Sequence, residues 1–585
     1  MKPQKSNPLK ILFVSAEVAP FAKVGGLGDV AGALPQALKK LGADIRIMMP
    51  LYGSIKMVTS PSLSFVRRGV LTAPSPSFVR RGSDTTPNHL VGMGTIECSG
   101  KKYPLKQVIK NFDVEFDGKI EKVNVYETVT SPNPALLKRG SYEVPVYFIE
   151  TKKFFGENEI YGNDEKFLFF SKAVADIVTS FSFRVISRSH SRPFTFTPDI
   201  IHCNDNHTAL IPVLLKSSAM AAKTSPNPSL SRKENGIKTV LTIHNLEFQG
   251  KITPNTLKTM KLDLKNNETI AKDAKDGDIN RMVQGILLAD AITSVSPTYA
   301  KEILTKEYGE GLENILKMRE KKLYGIINGI DIEQFNPETD PFIKYNYSTK
   351  NLAGKIKCKE ELIGEYFGGF SSCVTRGLTP LRGVKPRRSH LPIPPLIGLV
   401  SRLAPQKGID LIIEALPKLF KTHPEIFFIL LGTGTPKYEK KLQKLGEKYP
   451  DNFKPLITFD IKIAQQIYAA SDIFLMPSKF EPCGLGQLIA MRYGAVPVAR
   501  KTGGLADTVV ECRMQNAKCK MADKPNGFLF KKYSSDVMLK SLNEALAAYK
   551  NKRFWKKIML NGMRRDSSWQ RSARKYLEIY KNILN

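Results

Sequence analysis

PSKFEPCGLGQLIAMRYGAVPVARKTGG, residues 477–504, contains two glycine turns, and each turn stands between an apolar run and a helical pattern. The first turn carries Glu481 and opens into a predicted helix over 486–493, whose N-terminal amides suit a phosphate or sugar hydroxyls. The second turn, residues 502–504, follows a predicted strand over 495–499. Two such turns in succession are typical of one edge of a nucleotide-binding α/β sheet. Either turn alone is also consistent with an ordinary connection between a strand and a helix, but the carboxylate inside the first turn favours a ligand-binding site.

A further strand-turn-helix unit precedes this stretch and carries two cations. A predicted strand over 396–400 leads into SRLAPQKG, residues 401–408, and then into a predicted helix over 409–420. Arg402 offers a planar fork and Lys407 a point charge, and both suit a diphosphate, although a solvated surface pair is the alternative. The second half of the chain is therefore predicted to be a doubly wound domain with Phe459 on its rim; its other predicted elements are strands over 426–431, 457–459 and 473–476 and a helix over 463–470.

The first half begins with the same kind of unit. A predicted strand over 11–15 is followed by Lys23-Val24-Gly25-Gly26-Leu27-Gly28-Asp29, a predicted helix over 31–41 and a predicted strand over 44–49. The glycines allow a ligand to approach backbone amides closely, and Lys23 adds a compact positive charge. A bare structural turn remains the alternative.

Polar side chains also follow two later predicted strands in this half. The strand over 199–203 delivers Asn204-Asp205-Asn206-His207, and the strand over 238–243 delivers His244-Asn245. Ligands of α/β enzymes bind at the carboxyl ends of such strands, so these groups favour a site, whereas His207 alone is equally consistent with a structural histidine. A predicted loop over 154–164, ending at Asp164, precedes a predicted helix over 166–180.

Composition bounds the class of protein. At 585 residues the chain has room for two to four domains of about 150 residues, and 42% hydrophobic with 24% charged residues indicates a soluble protein. The seven cysteines lack paired metal spacing, which predicts reduced thiols and a cytoplasmic location. No apolar run approaches the roughly 18 residues of a membrane span. A formal charge of +33 favours nucleic acid or acidic lipid as a binding partner.

Four Ser-, Pro- and Arg-rich segments interrupt the α/β pattern and hold part of that charge. SLSFVRRG at 62–69 recurs as SPSFVRRG at 75–82. The segments show neither helical nor strand periodicity, which predicts inserted surface loops rather than an RNA-binding or membrane-binding attachment. They lie near residues 59–88, 181–198, 217–236 and 370–395.

Several motifs together resemble the bacterial glycogen synthases and plant starch synthases: SAEVAPFAKVGGLGDV, TIHNLEFQG, SVSPTYAKEI, INGID, SRLAPQKG and PSKFEPCGLGQLIAMRYG. The resemblance implies a GT-B fold, with two Rossmann-like doubly wound domains facing a central cleft. It implies an acceptor-side domain over 1–328, a nucleotide-sugar-binding domain over 329–559 and a C-terminal helix over 560–585 that packs back on the first domain. It also implies retaining transfer of glucose from ADP-glucose to the non-reducing-end 4-hydroxyl of an α-1,4-glucan, without metal, cofactor, specific nucleic acid or membrane.

The resemblance also assigns roles. Glu481 matches the essential carboxylate, Arg402 and Lys407 the pair at the donor diphosphate, and His207 the histidine near the donor glucose; Asp164 matches a loop aspartate, in an alignment that Gly162 and Asn163 fit as well. The remaining residues implied to bind substrate are Lys23, Gly25, Gly26, Asp29, His244, Asn245, Phe459, Cys483, Gly484, Leu485, Thr502, Gly503 and Gly504.

The chain departs from the family pattern at a few positions. Asn206 stands where the family usually has tryptophan, Val24 where it has threonine, Val283 where it has lysine and Lys479 where arginine is common. Two alternatives therefore stand beside a glucan synthase: a glycosyltransferase with another sugar nucleotide, and a non-catalytic protein that binds glucan or RNA.

Overall fold

The fold is described by a computed structural model for residues 7–58, 94–98, 101–129, 144–182, 196–223, 236–262, 267–368, 393–512, 514–515, 518–519 and 524–585. The predicted insertion at 59–88, and most of those at 181–198, 217–236 and 370–395, lie outside these residues. The chain divides into two compact units, one made of 1–241, 248–290 and 582–585 and the other of 242–247 and 291–581.

The first unit contains strands and helices in alternation, with an antiparallel extension. Its strands are β1 (Lys10–Val14), β2 (Asp44–Pro50), β3 (Lys56–Val58), β4 (Gly94–Cys98), β5 (Lys101–Phe116), β6 (Lys119–Val129), β7 (Pro145–Glu150), β8 (Ile200–Asn204), β9 (Lys238–Ile243, which runs on into the second unit), β10 (Lys251–Ile252) and β11 (Ile279–Asn280). Its helices are α1 (Gly26–Lys40), α2 (Lys152–Phe155), α3 (Glu165–Ser182), α4 (Ile211–Lys223), α5 (Glu268–Asp273) and α6 (Arg281–Leu288).

The predicted parallel core of this unit is confirmed. Strand β1 pairs in parallel with β2 on one side and with β8 on the other, so the loops after β1 and β8 leave the same edge of the sheet. All four residues from Ile11 to Val14 are buried, as expected for a strand covered on both faces. Helix α1 begins at Gly26, five residues before the predicted start, because the glycine turn itself supplies the first helical turn.

Other predictions for this unit were incomplete. The predicted loop over 154–164 was wrong at its start, where Phe154 and Phe155 are buried in α2. The predicted insertion at 217–236 was wrong for its first seven residues, because α4 continues to Lys223. Strands β3 to β6 were not predicted, since two register shifts between Gln107 and Phe112 break the alternation of apolar and polar residues in β5.

The strands of the second unit are β12 (Ala291–Ser294), β13 (Leu323–Gly325), β14 (Leu396–Val400), β15 (Phe427–Leu431), β16 (Phe453–Leu456), β17 (Ile473–Met476), β18 (Val496–Arg500), β19 (Met514–Gln515), β20 (Lys518–Cys519) and β21 (Phe528–Phe530). Six of them form a sheet in the order β16-β15-β14-β17-β18-β21, in which all neighbouring strands are parallel.

Helices cover this sheet and follow its strands. They are α7 (Pro297–Glu302), α8 (Glu313–Met318), α9 (Ala353–Phe367), α10 (Ile409–Thr422), α11 (Pro436–Lys448), α12 (Ile461–Ala470), α13 (Gly486–Arg492), α14 (Gly503–Thr508), α15 (Ser535–Lys550), α16 (Lys552–Met563) and α17 (Trp569–Leu584). Strand β15, with the sequence FFILL, is buried throughout, as parallel strands between helices require.

One strand prediction in the second unit was wrong. The strand predicted over 457–459 is instead β16 at 453–456, and residues 457–459 form the loop after it. Pro455 argued against a strand at 453–456, because proline lacks the amide hydrogen that a central strand needs. It is accepted here because β16 is the edge strand of this sheet.

Candidate functional site

Three loops of the second unit leave one edge of its sheet side by side. Strand β17 pairs with β14 and with β18, all in parallel, so residues 401–408, 477–485 and 501–503 follow neighbouring strand ends. Two hydrogen bonds join the first two loops. Lys479 N donates to Gln406 O at 2.7 Å, and Gln406 Nε2 donates to Phe480 O at 3.2 Å. The two cations and the carboxylate predicted from the sequence are thereby brought together.

Glu481 is buried in this cluster and is paired with a lysine. Lys407 Nζ lies 2.6 Å from Glu481 Oε2, and the two side chains are only 17% and 6% exposed. Ser478 Oγ donates to the same carboxylate oxygen at 2.9 Å. A buried carboxylate needs such partners, and Lys407 and Ser478 supply them at the strand edge.

Arg402 lies in the same loop as Lys407 but is exposed. Within the described residues its guanidinium forms no ion pair, and only its backbone carbonyl is bound, by Ser401 Oγ at 3.0 Å. The guanidinium is therefore available to an anionic ligand in the geometry that suits a diphosphate.

The first glycine turn is held by Gln487, a residue that the sequence analysis did not select. Gln487 Nε2 donates to Cys483 O at 3.0 Å, to Gly484 O at 2.8 Å and to Thr508 Oγ1 at 3.1 Å. These bonds turn two carbonyls of the loop towards the protein. Leu485 precedes the first residue of α13, so Cys483, Gly484 and Leu485 lie at the helix start as predicted.

The thiol of Cys483 is structural in this arrangement. It is hydrogen-bonded to the backbone of Asn328, and burial raises its pKa to about 12. The thiol is therefore protonated at ordinary pH and is not a nucleophile.

The donors of the second glycine turn are already bound to protein acceptors. Thr502 Oγ1 lies 3.0 Å from Glu302 Oε1, and Gly503 N lies 3.0 Å from Glu302 Oε2. Gly504 N donates to Glu481 O at 3.0 Å. Glu302, another residue that the sequence analysis did not select, thus occupies the position predicted for the distal phosphate, and burial raises its pKa.

Gly503 shows why this turn requires glycine. Its φ is +42°, and a Cβ atom there would lie 2.0 Å from the carbonyl oxygen of Glu481. The close approach fixes the second turn against the first, so the two loops form one structure.

Phe459 and the His244-Asn245 pair lie elsewhere in the second unit. Phe459 is 80% exposed in the loop after β16, which leaves its ring free to stack on a flat ligand. Although part of the His244 ring reaches solvent, burial lowers its pKa to about 3, so the imidazole is neutral. Asn245 Oδ1 accepts from Glu247 N at 3.2 Å, which closes a local turn.

In the first unit the glycine turn after β1 is organised by Glu17, a buried carboxylate that was quoted in a motif but not selected. Glu17 Oε2 accepts from Val24 N at 2.7 Å and from Gly25 N at 2.9 Å. Its other oxygen accepts from the hydroxyl of Tyr161, and burial with this neighbour raises the pKa of Tyr161. The amides of Val24 and Gly25 are therefore committed inside the protein, whereas a Cβ at Gly26 would meet nothing within 4 Å.

Lys23 and Asp29 form an ion pair in front of this turn. Their charged atoms lie 2.6 Å apart, and the side chains are 44% and 39% exposed. Partial burial raises the pKa of Asp29 in spite of the lysine. The predicted positive charge beside the glycines is present, but in this structure a carboxylate shares it.

His207 follows β8 and lies in an aromatic setting. Its ring centroid is 4.5 Å from that of Phe167 and 5.2 Å from that of Tyr161. Asp205, two residues earlier, has a φ of +55°, a strained conformation for a residue other than glycine. Asn206 is buried, and its side-chain amide donates to Phe248 O at 3.1 Å.

Asp164 is paired with Arg281, which the sequence analysis did not select. Arg281 Nη2 lies 2.7 Å from Asp164 Oδ1; the arginine is 1% exposed and the aspartate 58%. Arg281 Nε donates to Gly250 O at 3.0 Å, while its Nη1 is buried without a hydrogen bond among the described residues. No local sequence signal indicates this pair, because its members are 117 residues apart.

Family models place the chain in a class. The starch synthase catalytic domain matches residues 10–71 and 91–318, and the glycosyl transferases group 1 model matches residues 387–558. The fold is similar to the catalytic domain of Starch Synthase IV from Arabidopsis thaliana, solved with ADP and acarbose, with a TM-score of 0.73, 29% identity and 99% coverage of both chains. A sucrose-phosphate synthase from Thermosynechococcus elongatus, 14% identical with a TM-score of 0.50, shares the fold alone. The chain is a hexosyltransferase of the GT-B class, as predicted.

Curated relatives identify the family within this class. The chain is 38% identical to the glycogen synthases of Geotalea daltonii and Thermotoga maritima, over 98% of its own length and 99% of theirs. The glycogen synthase of Lactobacillus acidophilus is 36% identical over 98% of the chain and 100% of its own length. The chain belongs to the glycogen synthase family, and the predicted glucan synthase activity is confirmed at that level.

Among the described residues, no helix combines the length and the apolar character that crossing a bilayer requires. No group of three or more His, Cys, Asp or Glu side chains among them is arranged to hold a metal ion.

Proposed function

We propose that the chain transfers glucose, with retention, from ADP-glucose to the 4-hydroxyl at the non-reducing end of an α-1,4-glucan such as glycogen. The observation that carries this proposal is the buried Lys407–Glu481 pair, 2.6 Å apart, at the edge where β14 and β17 end. The ADP and acarbose in the Arabidopsis starch synthase structure support a nucleotide and a glucan as ligands of this fold. The reaction uses no cofactor, and we place it in the cytoplasm.

The charges at this edge suit the bond that breaks. Cleavage of a glycosyl phosphate leaves negative charge on the departing ADP and positive charge on the sugar ring. Arg402 and Lys407 stabilise the leaving diphosphate, and Glu481 orients the glucose hydroxyls. Loss of one preorganised group of this kind raises the barrier by about 3 to 4 kcal/mol.

The surroundings of Glu481 favour front-face displacement over a glycosyl-enzyme intermediate. A retaining glycosidase uses two carboxylates about 5 Å apart. Among the described residues, the side-chain groups hydrogen-bonded to Glu481 are a lysine and a serine. The leaving phosphate itself therefore accepts the proton of the attacking 4-hydroxyl.

The remaining predicted residues keep their roles as parts of this proposal. Phe459 stacks on adenine; Cys483, Gly484 and Leu485 bind the donor sugar; and Thr502, Gly503 and Gly504 bind the distal phosphate once Glu302 is displaced. Lys23, Gly25, Gly26 and Asp29 lie on the acceptor side, and Asp164, His207, His244 and Asn245 contact the sugars. The domain division at 328/329 and the role of residues 560–585 are part of the same proposal.

The test is release of ADP from ADP-glucose with and without glycogen, with UDP-glucose as the second donor. We expect glycogen-dependent release from ADP-glucose that is lost in Glu481→Ala, while Glu447→Ala, at an exposed position of α11, serves as the matched control. Preference for UDP-glucose would overturn the donor assignment. Glucan binding without release from either donor, by protein with an intact thermal transition, would overturn the enzyme proposal.

A further inference from the structure

A cavity of about 160 Å³ lies within the second unit, at the start of α17. Its lining includes three cationic side chains, Arg565, Arg571 and Lys575, together with Ser568 and Asn328. At roughly 30 Å³ for each water in the liquid, the volume suits a phosphate group with a small substituent.

The carboxylates that line this cavity are already used by the protein. Asp507 accepts from Ser296 Oγ at 2.5 Å, from Thr298 N at 2.9 Å and from Thr298 Oγ1 at 2.6 Å. Asp566 Oδ1 accepts from Ser568 N at 3.0 Å. Both carboxylates still attract the cations beside them, Asp507 and Asp566 acting on Arg565 and Asp566 also on Arg571.

Three cations face these two carboxylates, so the lining keeps a net positive charge. Within the described chain neither Arg571 nor Lys575 forms an ion pair, and they lie one helical turn apart, where like charges repel. Arg565 donates to the carbonyl oxygen of Asp507 at 3.3 Å, and burial together with the charge of Arg571 lowers its pKa. An anion between these three groups would relieve their repulsion.

Two features add to the charges. Helix α17 is sixteen residues long, and its N-terminal amides add positive potential at the cavity wall. The side chain of Asn328 is 5% exposed, and its Oδ1 has no hydrogen-bond partner among the described residues. A ligand hydroxyl that donates to Asn328 Oδ1 would satisfy this buried acceptor.

We propose that this cavity binds a small phosphate-bearing ligand, with the phosphate among Arg565, Arg571 and Lys575 and a hydroxyl group at Asn328. The site is separate from the loops that hold Glu481 and Lys407. It adjoins them through Asn328, whose backbone is hydrogen-bonded to Cys483 in the first glycine turn. Occupancy is thereby coupled to the loop proposed to bind the donor sugar.

Calorimetric titration tests the site on the full chain without turnover. Excess ADP is first added to fill the donor site, and inorganic phosphate and glycerol 3-phosphate are then titrated separately. We expect binding that weakens with added KCl, since the attraction is ionic. Tighter binding of glycerol 3-phosphate identifies a phosphate ester as the ligand, and equal binding identifies free phosphate.

Three charge-matched variants locate the binding. Arg571→Gln and Lys575→Gln should each weaken it about tenfold, because each removes one charge-assisted contact. Lys581→Gln, exposed on the same helix and outside the cavity lining, should leave it unchanged. No binding by wild-type protein, or equal weakening in all three variants with unchanged thermal transitions, would overturn the site.

Discussion

At the scale of single residues, the Lys407–Glu481 pair links stability to activity. Removal of the lysine leaves a buried carboxylate without its cation, which destabilises proteins by about 3 to 5 kcal/mol. We therefore expect Lys407→Met to lower both the thermal transition and the rate of ADP release, the rate by about a hundredfold or more. Steady-state kinetics and thermal unfolding measure the two effects.

A surface lysine provides the control for this variant. Lys418 pairs with Asp536 at 2.8 Å, but the two side chains are 54% and 74% exposed. Exposed pairs contribute about 0 to 1 kcal/mol, so Lys418→Met should change neither quantity noticeably. A loss of activity below tenfold in Lys407→Met would contradict the role at the diphosphate.

The Asp164–Arg281 pair predicts an asymmetry between its two members. Asp164→Asn leaves a fully buried guanidinium without its anion, whereas Arg281→Met replaces that guanidinium with an apolar chain of similar length. Gly250 O keeps the bond from the backbone amide of Arg281 in either case. We expect a lower thermal transition for Asp164→Asn, little change for Arg281→Met and recovery in the double variant. Equal losses in both single variants would contradict this account.

At the scale of secondary-structure elements, the start of α14 binds the Glu302 carboxylate at the place that the proposal assigns to a phosphate of ADP. Glu302 accepts from Thr502 and Gly503 at the start of this helix, where the proposal places the distal phosphate of ADP. Glu302→Gln removes the negative charge and should tighten ADP binding, measured by calorimetry. Glu307→Gln, an exposed neighbour, is the control. Weaker ADP binding by Glu302→Gln alone would show that the carboxylate supports the site.

The pH dependence of the same element follows from the raised pKa of Glu302. As pH falls towards that pKa, the carboxylate takes up a proton and ceases to repel phosphate. Wild-type affinity for ADP should therefore rise, relative to Glu302→Gln, as pH is lowered from neutrality. A difference between the two proteins that stays constant with pH would exclude the titration of Glu302 as the cause.

The elements also show what sequence reasoning can reach. Continuous apolar runs such as LIGLV in β14 and IFLM in β17 identified the parallel strands, and glycine turns identified the loops that follow them. Sequence reasoning missed the contacts between residues that are far apart along the chain. Glu302 lies 201 residues from Gly503 and Glu17 lies 144 residues from Tyr161, so no local pattern reports their partners. Both glutamates stand in motifs quoted for the family, which was the available signal.

At the scale of the whole molecule, the family pattern continues across the interrupting segments. The starch synthase model resumes at residue 91 after ending at residue 71, and the curated relatives match 98% of the chain. Residues 72–90, which the family model leaves unmatched, contribute Arg80 and Arg81 against Asp84, so part of the basic excess belongs to residues outside the family match. Net charge is therefore a poor guide to the substrate of this protein.

The two ends of the segment over 59–93 lie close together, which predicts that the segment can be removed. Strands β3 and β4 pair antiparallel, and Val58 faces Thr95, so residues 59–93 begin and end at neighbouring positions. Asn-Gly in place of 59–93, followed by Gly94, leaves a three-residue turn between the paired Val58 and Thr95, which is a common length for a hairpin loop. We expect the chain with this replacement to keep its thermal transition and its glycogen-dependent ADP release. A second chain carrying a shuffled segment of equal length should behave identically. Loss of activity in both chains, with the thermal transition retained, would assign a function to the natural segment.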